Sequence, residues 1–293
     1  MRAAEIRELT TPPVVVEVED AGTITIEAVA LNPLDIAVGN GLFYGGHPPL
    51  PYSPGCEAAG RDESGALVYL FGAGYGIAKS GFLVERIAVP ADLPLRLPDG
   101  VDPPLAAAAG IAGVAGWVPV AWRAQVTPAD RVLVLGARGA VGQIAMQAAR
   151  LLGAAKVVGA GRSRSGDIVS LDEIGDAFGE EGFTVCIDPL WGEPVARVLA
   201  HAAPGARIVH VGQSAGAEAP LRSADVRGKE LLIRGHSNFA MSKEERDRAY
   251  LELLDHLVAG RIALDIERYP LDRVAEAWER QRSGPGAKVV VSV

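Results

Sequence analysis

The chain has 293 residues, of which 49% are hydrophobic and 22% are charged, and it contains 35 glycines and 20 prolines. At roughly 150 residues per domain this length indicates two domains or one large one, and the composition excludes a disordered or fibrous protein. The net charge of -8 argues against a nucleic-acid partner, because a protein surface that binds nucleic acid needs clustered basic residues.

The two cysteines, Cys56 and Cys186, are too few for a disulfide framework or a four-cysteine structural zinc site. The N-terminal segment MRAAEIRELT carries charges where an export signal has its apolar region. We therefore expect a cytoplasmic protein. The uncharged stretch at 105–122 approaches membrane-spanning length, but it is mostly Ala and Gly and contains Pro119, so we interpret it as a buried helix and expect no membrane partner.

The first hundred residues have the pattern of short strands and turns. Segments rich in Gly, Pro and Asn separate the apolar runs, which predicts a β-rich region. The predicted strands cover residues 14–18, 23–31, 66–70 and 82–89.

From residue 131 onward, short apolar strands alternate with helical stretches, which indicates a parallel sheet covered on both faces. The predicted strands cover 131–136, 156–161, 183–188, 207–212 and 230–235, with a helix at 140–154. In the segment KEERDRAYLELLDHLVAGRI, one helical face carries Tyr250, Leu253, Leu254 and Leu257, and Gly260 is the expected stop. The chain ends in a predicted strand at 288–293.

A glycine motif follows the first strand of this alternating region. Gly136, Gly139 and Gly142 open the helix with the spacing GxxGxxG, a variant of the GxGxxG pattern. Glycine lets the backbone approach a pyrophosphate, and the helix N-terminus offers unpaired N–H groups. The motif predicts a dinucleotide site, and the alternative is a tight turn in a ligand-free domain.

The residues at the end of the predicted strand 156–161 indicate which cofactor to expect. NAD-binding proteins place an acidic residue about twenty residues past the motif, whereas here the sequence reads Gly161, Arg162, Ser163 and Arg164. Arginine binds phosphate in bidentate fashion, so this segment predicts NADPH rather than NADH. A solvated loop with ordinary surface arginines is the alternative.

The other expected cofactor contacts lie at the carboxyl ends of the strands, where a doubly wound sheet binds its ligand. The expected set beyond the three glycines and the arginine segment is Arg138, Ala140, Val141, Val211, Gly212, Gln213 and Ser237. Asp188 is expected only to end its strand. His236 is expected to be structural, because nothing near it in the sequence offers an orienting partner.

The motifs together resemble the medium-chain dehydrogenase/reductase superfamily, specifically its zinc-independent quinone oxidoreductase-like branch. The matching segments include AVALNPLDIAVGNGLFYGG (28–46), LPYSPGCEAAGRD (50–62), the GARGAVG turn, CIDPLWG (186–192), VHVGQSAG (209–216) and the C-terminal segment 269–293. The resemblance implies an α/β fold with a discontinuous GroES-like β-barrel catalytic domain (1–105 and 240–293) and a Rossmann domain with a doubly wound parallel sheet (106–239). It also implies an active site in the interdomain cleft.

The resemblance departs from the zinc enzymes of the superfamily at one segment. Where their GHE sequence supplies a metal-binding histidine, this chain has Gly55, Cys56 and Glu57. Cys56 and Asp35 are possible zinc ligands by residue type, but no third ligand occurs near residues 110 to 120. We expect a metal-free site.

In the resembled branch, the LNPLD segment and the following tyrosine face the nicotinamide and the substrate, which here implies Asn32, Asp35 and Tyr44. Asn32 would hydrogen-bond a ribose or substrate oxygen, Asp35 would orient that network, and Tyr44 would donate a hydrogen bond or a proton. The alternatives are a turn residue for Asn32, a helix cap for Asp35 and a loop aromatic for Tyr44.

Three functions follow from these expectations. The first is an NADPH-dependent reductase of quinones or α,β-unsaturated carbonyls, including enoyl groups, since a conjugated acceptor needs no Lewis acid. The second is a nucleotide-binding or sensing protein with little catalysis, and the third is a zinc alcohol dehydrogenase. The resemblance further implies a homodimer formed through the sheet edge at ELLIRG (230–235).

Overall fold

The computed structural model describes residues 1–20, 22–162 and 164–293, which form two compact units. The first unit combines Met1–Ala112 with Leu264–Val293, and the second is Gly113–Ala263. One unit is therefore inserted into the other along the chain.

The elements below are numbered in chain order. The strands are β1 (Arg2–Glu5), β2 (Val14–Glu17), β3 (Ile24–Ala30), β4 (Glu57–Arg61), β5 (Leu67–Phe71), β6 (Arg86–Ile87), β7 (Leu95–Arg96), β8 (Arg131–Val134), β9 (Lys156–Ala160), β10 (Ile168–Val169), β11 (Phe183–Asp188), β12 (Ala202–His210), β13 (Leu232–Gly235), β14 (Ile266–Pro270) and β15 (Lys288–Ser292). The α-helices are α1 (Pro33–Gly39), α2 (Pro103–Ala108), α3 (Val114–Val118), α4 (Ala140–Leu151), α5 (Ile174–Phe178), α6 (Gly192–Val198), α7 (Ser223–Gly228), α8 (Lys243–Val258) and α9 (Val274–Arg282). Single 3₁₀ turns occur at Leu171–Glu173, Gly179–Glu181, Leu199–His201, Asn238–Ala240 and Leu271–Arg273.

The first unit is built on a mixed sheet with the strand order β14-β15-β3-β4-β5-β7, and β6 adds to β3. Its core includes the fully buried side chains of Trp278 on α9, Tyr52 and Phe82. Gly39 ends α1 against Trp278, where a Cβ would lie 2.6 Å from the indole Cζ2 atom. This close approach explains why glycine occupies the end of α1.

The second unit contains six parallel strands in the order β10-β9-β8-β11-β12-β13. Counted along this unit, the order is third, second, first, fourth, fifth and sixth, which is that of a doubly wound dinucleotide-binding sheet. Helix α4 packs on it through Met146, which lies against Gly159 of β9, whereas Ile144 lies against Gly116 of α3. The α/β prediction is confirmed.

A long apolar helix runs from Pro103 to Arg123 through α2, α3 and two wider π-helical segments at Ala109–Gly113 and Pro119–Arg123. It is 21 residues long, enough to cross a membrane by length and composition alone, but 72% of its most apolar window is buried inside the protein. Gly110 interrupts it with a non-helical ψ of -107°. Such burial is typical of a core helix.

The boundaries of the two units lie later in the chain than the predicted boundaries after residues 105 and 239. Helix α8 belongs to the second unit because its apolar face packs on α3, where a Cβ on Gly113 would lie 2.6 Å from a methyl carbon of Leu253. Glu252 of α8 also accepts hydrogen bonds from the indoles of Trp117 and Trp122, at 3.2 and 3.0 Å.

The strand prediction at 82–89 is wrong in extent, because only Arg86–Ile87 forms a regular strand there. Strand β4 was not predicted. Its residues Glu57–Gly60 are all buried, so the alternation of apolar and polar residues that reveals a half-exposed strand is absent.

Candidate functional site

The three glycines of the motif have three different structural roles. Gly136 has φ +59°, which favours glycine, at the tight turn after β8. A Cβ on Gly142 would lie 2.5 Å from the carbonyl oxygen of Gly136, so only glycine permits this close approach of helix and strand. Among the described residues, a Cβ on Gly139 would meet nothing nearer than that same oxygen, at 3.5 Å, so this part of the structure leaves the side of the turn at Gly139 open.

Helix α4 begins immediately after Gly139, and no side chain among the described residues caps it. Ala140, Val141 and Gly142 are its first three residues, whose N–H groups have no partner within the helix. Arg138 lies exposed beside them. Unpaired N–H groups and the positive end of the helix dipole form a site for a phosphate group, so the predicted pyrophosphate turn has the geometry that this ligand needs.

The arginine segment follows β9. Arg162 is exposed and has no ion-pair partner among the residues that the structure describes, whereas Arg164 donates to Glu173 at 3.0 Å. Ser163 lies outside the described residues. The two predicted phosphate ligands therefore differ: Arg162 is available to a ligand, and Arg164 must leave a carboxylate to bind one.

The connection from β9 to β10 is short for two parallel strands, which commonly need a crossover helix between them. Strand β9 ends at Ala160 and β10 begins at Ile168, with no helix among the described residues in between. Two main-chain hydrogen bonds join the two ends of this connection, from Gly159 N to Asp167 O and from Gly161 N to Val169 O, both 2.9 Å. The arginine segment is thus held between two neighbouring strands.

The predicted contacts at the end of β12 are tied to the end of β11. The N–H of Val211 donates to Asp188 O at 2.8 Å, and a Cβ on Gly212 would lie 3.0 Å from Pro189 O. Gln213 is exposed. These residues lie at the carboxyl edge of the sheet, where the prediction expected them.

After β13, His236 and Ser237 follow the sheet edge. The His236 ring is buried and lies between Asn238 Oδ1, 3.0 Å from its Nε2 atom, and Arg123 Nε, 3.5 Å from its Nδ1 atom. Burial, followed by the nearby arginine charges, lowers the pKa of His236 to about 4. Asn238, two residues away, therefore orients the His236 ring, whereas the sequence predicted no orienting partner near this histidine. Ser237 accepts from Phe239 N at 3.3 Å, which makes it a cap of the following turn.

In the first unit, Asn32 and Asp35 lie together at the start of α1, both about 1% exposed. Asp35 Oδ2 accepts from Asn32 N at 2.7 Å, and Asp35 Oδ1 accepts from Cys56 N at 2.9 Å. The Asn32 amide donates to Ala30 O at 3.2 Å and to Glu57 Oε1 at 2.8 Å. Both amide hydrogens of Asn32 are thereby used within the protein.

Glu57 is the centre of this buried group and is fully buried. Its Oε2 atom accepts from the hydroxyl of Tyr69 at 2.8 Å and from Ile111 N at 2.5 Å. The ammonium group of Lys288 lies 3.2 Å from Oε1, and it also donates to Leu31 O at 3.0 Å and to Asn32 Oδ1. We call Asn32, Asp35, Glu57, Tyr69 and Lys288 the buried polar cluster.

Burial sets the protonation of the groups around Asp35. It raises the pKa of the Asp35 carboxyl and raises that of the Cys56 thiol well above its usual range, and the negative charge of Asp35 adds to the effect on the thiol. Tyr52 is also buried, and burial and Asp35 raise its pKa. Among the described residues, its hydroxyl has no hydrogen-bond partner.

The possible zinc ligands Asp35 and Cys56 do not form an open metal site. Both oxygens of Asp35 accept main-chain hydrogen bonds, and burial raises the pKa of the Cys56 thiol well above its usual range. Across residues 1–20, 22–162 and 164–293, no three His, Cys, Asp or Glu side chains lie close enough to hold a metal ion. A catalytic zinc requires three protein ligands, so these residues do not fit one.

Tyr44 lies apart from this cluster. Its side chain is 89% exposed and packs against Phe43, with 4.4 Å between the ring centroids. The structure thus brings together two of the three predicted catalytic residues and leaves the third on an exposed loop.

The predicted site residues do not include Glu57, Tyr69 or Lys288. The resemblance implies that Lys288 lies toward the expected cleft, and a strand-start charge is the alternative. The available signal was the placement of single charged residues inside apolar strands, CEAAG at 56–60 and KVVVSV at 288–293. Charged groups at such positions are buried only when they are paired.

The profile of the zinc-binding dehydrogenase family matches residues 152–291. The quinone oxidoreductase of Pongo abelii is 30% identical over 286 residues, covering 90% of this chain and 86% of that protein. The acrylyl-CoA reductase of Ruegeria pomeroyi is 30% identical over 250 residues, covering 74% of each. A solved structure of the quinone oxidoreductase from Thermus thermophilus, also determined in complex with NADPH, is 25% identical, with a TM-score of 0.82 over 100% of both chains. The chain therefore belongs to the medium-chain dehydrogenase/reductase superfamily, in its quinone oxidoreductase-like branch.

Proposed function

We propose that this protein is an NADPH-dependent reductase that delivers a hydride to a quinone or an α,β-unsaturated carbonyl compound, including enoyl substrates. The observation that carries the proposal is the phosphate turn, in which Gly136 and Gly142 permit tight packing while the position of Gly139 is left open. The acceptor class follows from the similarity to a quinone oxidoreductase and an acrylyl-CoA reductase.

The residues of the second unit fit NADPH. The N-terminus of α4 would hold the pyrophosphate, Arg162 would hold the 2′-phosphate, and Val211 to Gln213 would lie against the ribose and nicotinamide half. When bound, the nicotinamide supplies the hydride, and the protein aligns the acceptor and excludes water.

On the acceptor side, we propose Asn32, Asp35 and Tyr44 as the residues to test. Reduction of a conjugated carbonyl places negative charge on an oxygen, which N–H or O–H donors stabilise. Because the Asn32 amide hydrogens are already used, Asn32 and Asp35 would act by positioning their surroundings, whereas the exposed hydroxyl of Tyr44 is free to approach a substrate.

A zinc alcohol dehydrogenase is the alternative by residue type, but both oxygens of Asp35 accept main-chain hydrogen bonds, one of them from Cys56 N, which disfavours Asp35 as a zinc ligand. Metal analysis of the purified protein tests it. Stoichiometric zinc that is lost in Cys56→Ser would favour the zinc enzyme.

The proposed reaction is tested by NADPH oxidation with 1,4-benzoquinone, 9,10-phenanthrenequinone and simple enones. We expect turnover that continues after treatment with a chelator, and a lower rate with NADH. Tight NADPH binding without turnover of any acceptor would contradict the enzyme and favour the nucleotide-binding alternative.

We also propose a homodimer and a cytoplasmic location. The edge strand β13 exposes Leu232 (63%) and Ile233 (39%), and an exposed apolar edge favours pairing with a second copy. Sedimentation of the wild type and of Ile233→Lys tests the dimer. A dimeric wild type and a monomeric variant are expected, and a dimeric variant would contradict this interface.

A further inference from the structure

Two neighbouring strands of the second unit end in a carboxylate and an imidazole. Asp188 ends β11 and His210 ends β12, and the two residues are paired in the register of these parallel strands. The Oδ1 atom of Asp188 accepts from Leu190 N and Trp191 N, both at 2.9 Å. Its Oδ2 atom faces His210 Nδ1 at 3.9 Å.

These two facing atoms are buried, and neither has a hydrogen-bond partner among the described residues. Their separation is too long for a hydrogen bond between them. Burial raises the pKa of Asp188, which is fully buried. Since buried polar groups in proteins are almost always paired, two adjacent exceptions indicate a partner that the described residues do not supply, a water or a ligand.

The pair is held rigidly by the turn that follows Asp188. Trp191 has φ +58° and ψ -159°, a region that is essentially restricted to glycine and is strained for other residues. Its N–H is bound by Asp188, and its ring lies against His210 with 4.3 Å between centroids. The strained turn thus fixes one oxygen of Asp188 and supports the imidazole from the side.

The turn also lies beside the phosphate turn. A Cβ on Gly136 would be 3.0 Å from a methyl carbon of Leu190, and the carbonyl of Leu190 accepts from Ala215 N at 2.8 Å. Strand β8 and strand β11 are neighbours at the point where the strand order reverses. Doubly wound sheets bind their ligands at this point, outside the carboxyl ends of the strands.

We propose that Asp188 and His210 bind the cis-diol of the nicotinamide-side ribose of NADPH, an inference that rests on the proposed function. Such a diol has two adjacent hydroxyl donors, and the pair offers two acceptor positions, a carboxylate oxygen and the imidazole Nδ1 atom. In NADPH the adenine-side ribose carries the 2′-phosphate, so only the nicotinamide side keeps a free diol. The pair would fix the nicotinamide half after the phosphate turn has bound the pyrophosphate.

The test compares the binding of NADPH with that of 2′,5′-ADP, which contains the adenine-side phosphates but no cis-diol. In His210→Phe an aromatic ring against Trp191 is kept and both ring nitrogens are lost, and in Asp188→Asn an oxygen remains for the two main-chain donors. We expect each variant to weaken NADPH by about tenfold and to change 2′,5′-ADP by less than about twofold, as measured by calorimetry.

Equal weakening of both ligands in His210→Phe would overturn the proposal, because it would indicate a general structural role. Unchanged NADPH binding in both variants would also overturn it. A wild type that binds neither ligand would overturn the cofactor assignment together with the diol site. A wild type that binds both ligands but reduces no acceptor would contradict only the proposed reaction, and a selective loss of NADPH affinity in the variants would still support the diol site.

Discussion

The buried polar cluster of the first unit and the Asp188–His210 pair of the second unit both hold polar atoms away from water, but their hydrogen bonding differs. Both oxygens of Glu57 are bound, by Asn32 and Lys288 at one and by Tyr69 and the main chain at the other. The facing atoms of Asp188 and His210 have no partner among the described residues. Saturated groups serve the fold, whereas open ones are available to a ligand.

The same contrast occurs at smaller scale in the second unit. His236 has a partner at each ring nitrogen, whereas His210 lacks one at Nδ1 among the described residues. Arg164 is paired with Glu173, and Gly142 is packed where Gly139 is open. Substitution of the hydrogen-bonded or packed residues should lower the free energy of unfolding, and substitution of the residues without such contacts should weaken cofactor binding.

The largest effect is expected at Glu57. In Glu57→Ala the ammonium of Lys288 would remain buried without its charged partner, and the hydroxyl of Tyr69 would lose its acceptor. Removing one partner of a buried ion pair costs about 3–5 kcal/mol, so we expect a loss of this size in the free energy of unfolding, measured in urea.

Two variants control this experiment. Arg273→Ala breaks an exposed pair with Glu276 and should cost less than about 1 kcal/mol. Glu57→Gln combined with Lys288→Met removes both charges and should cost less than the sum of the two single changes. Additive losses would show that the two groups do not stabilise each other.

Cofactor selectivity should depend mainly on Arg162. Because its guanidinium has no ion-pair partner among the described residues, Arg162→Ala should weaken NADPH by about 10- to 100-fold and leave NADH within about twofold. The partnered Arg164 should contribute less, and Glu173→Gln should strengthen NADPH binding by releasing it. Fluorescence titration with both nucleotides measures these constants. Equal losses for NADPH and NADH in Arg162→Ala would contradict recognition of the 2′-phosphate.

Local patterns in the sequence predicted the phosphate turn and most strands of the parallel sheet, because glycine spacing and apolar runs act within a few residues. The buried polar cluster was only partly predictable. Asn32 and Asp35 are three residues apart on one turn, but their contacts with Glu57 and Lys288 depend on strand pairing between distant segments. Patterns within a few residues of sequence do not predict which distant strands pair.

The pair of Asp188 and His210 has a different reason for being missed. Each residue ends an apolar strand, where a polar residue is also the ordinary strand terminator. The backbone of Trp191, in a conformation suited to glycine, gives no signal in the sequence. Only the three-dimensional register places the two polar atoms opposite each other.

His236 should make stability depend on pH. Its pKa is lowered to about 4 in the folded protein by burial and by the charges of Arg123 and Arg234, whereas an unfolded histidine titrates near 6.5. As the pH falls below about 6.5 the unfolded state gains a proton that the folded state does not, so stability decreases. Between about pH 7.5 and about pH 5 the loss from this group is about 2 kcal/mol.

The comparison that isolates this contribution uses His236→Gln. The free energy of unfolding of this variant in urea should fall less between the two pH values than that of the wild type. Identical slopes for the two proteins would show that His236 does not stay neutral when the protein is folded.

The two glycines of the phosphate turn give the smallest and most selective test. A Cβ in Gly142→Ala would lie 2.5 Å from the Gly136 carbonyl oxygen and 2.7 Å from the Cα atom of Ala137, both of them backbone atoms that must move. Overpacking of this kind costs about 1–3 kcal/mol, and the higher helix propensity of alanine offsets part of it, so a net loss of about 1 kcal/mol is expected. In Gly139→Ala the Cβ would be 3.5 Å from its nearest neighbour, so thermal unfolding should change little, while NADPH binding weakens because the methyl group occupies the open side. If Gly139→Ala binds NADPH like the wild type, the phosphates do not approach this turn.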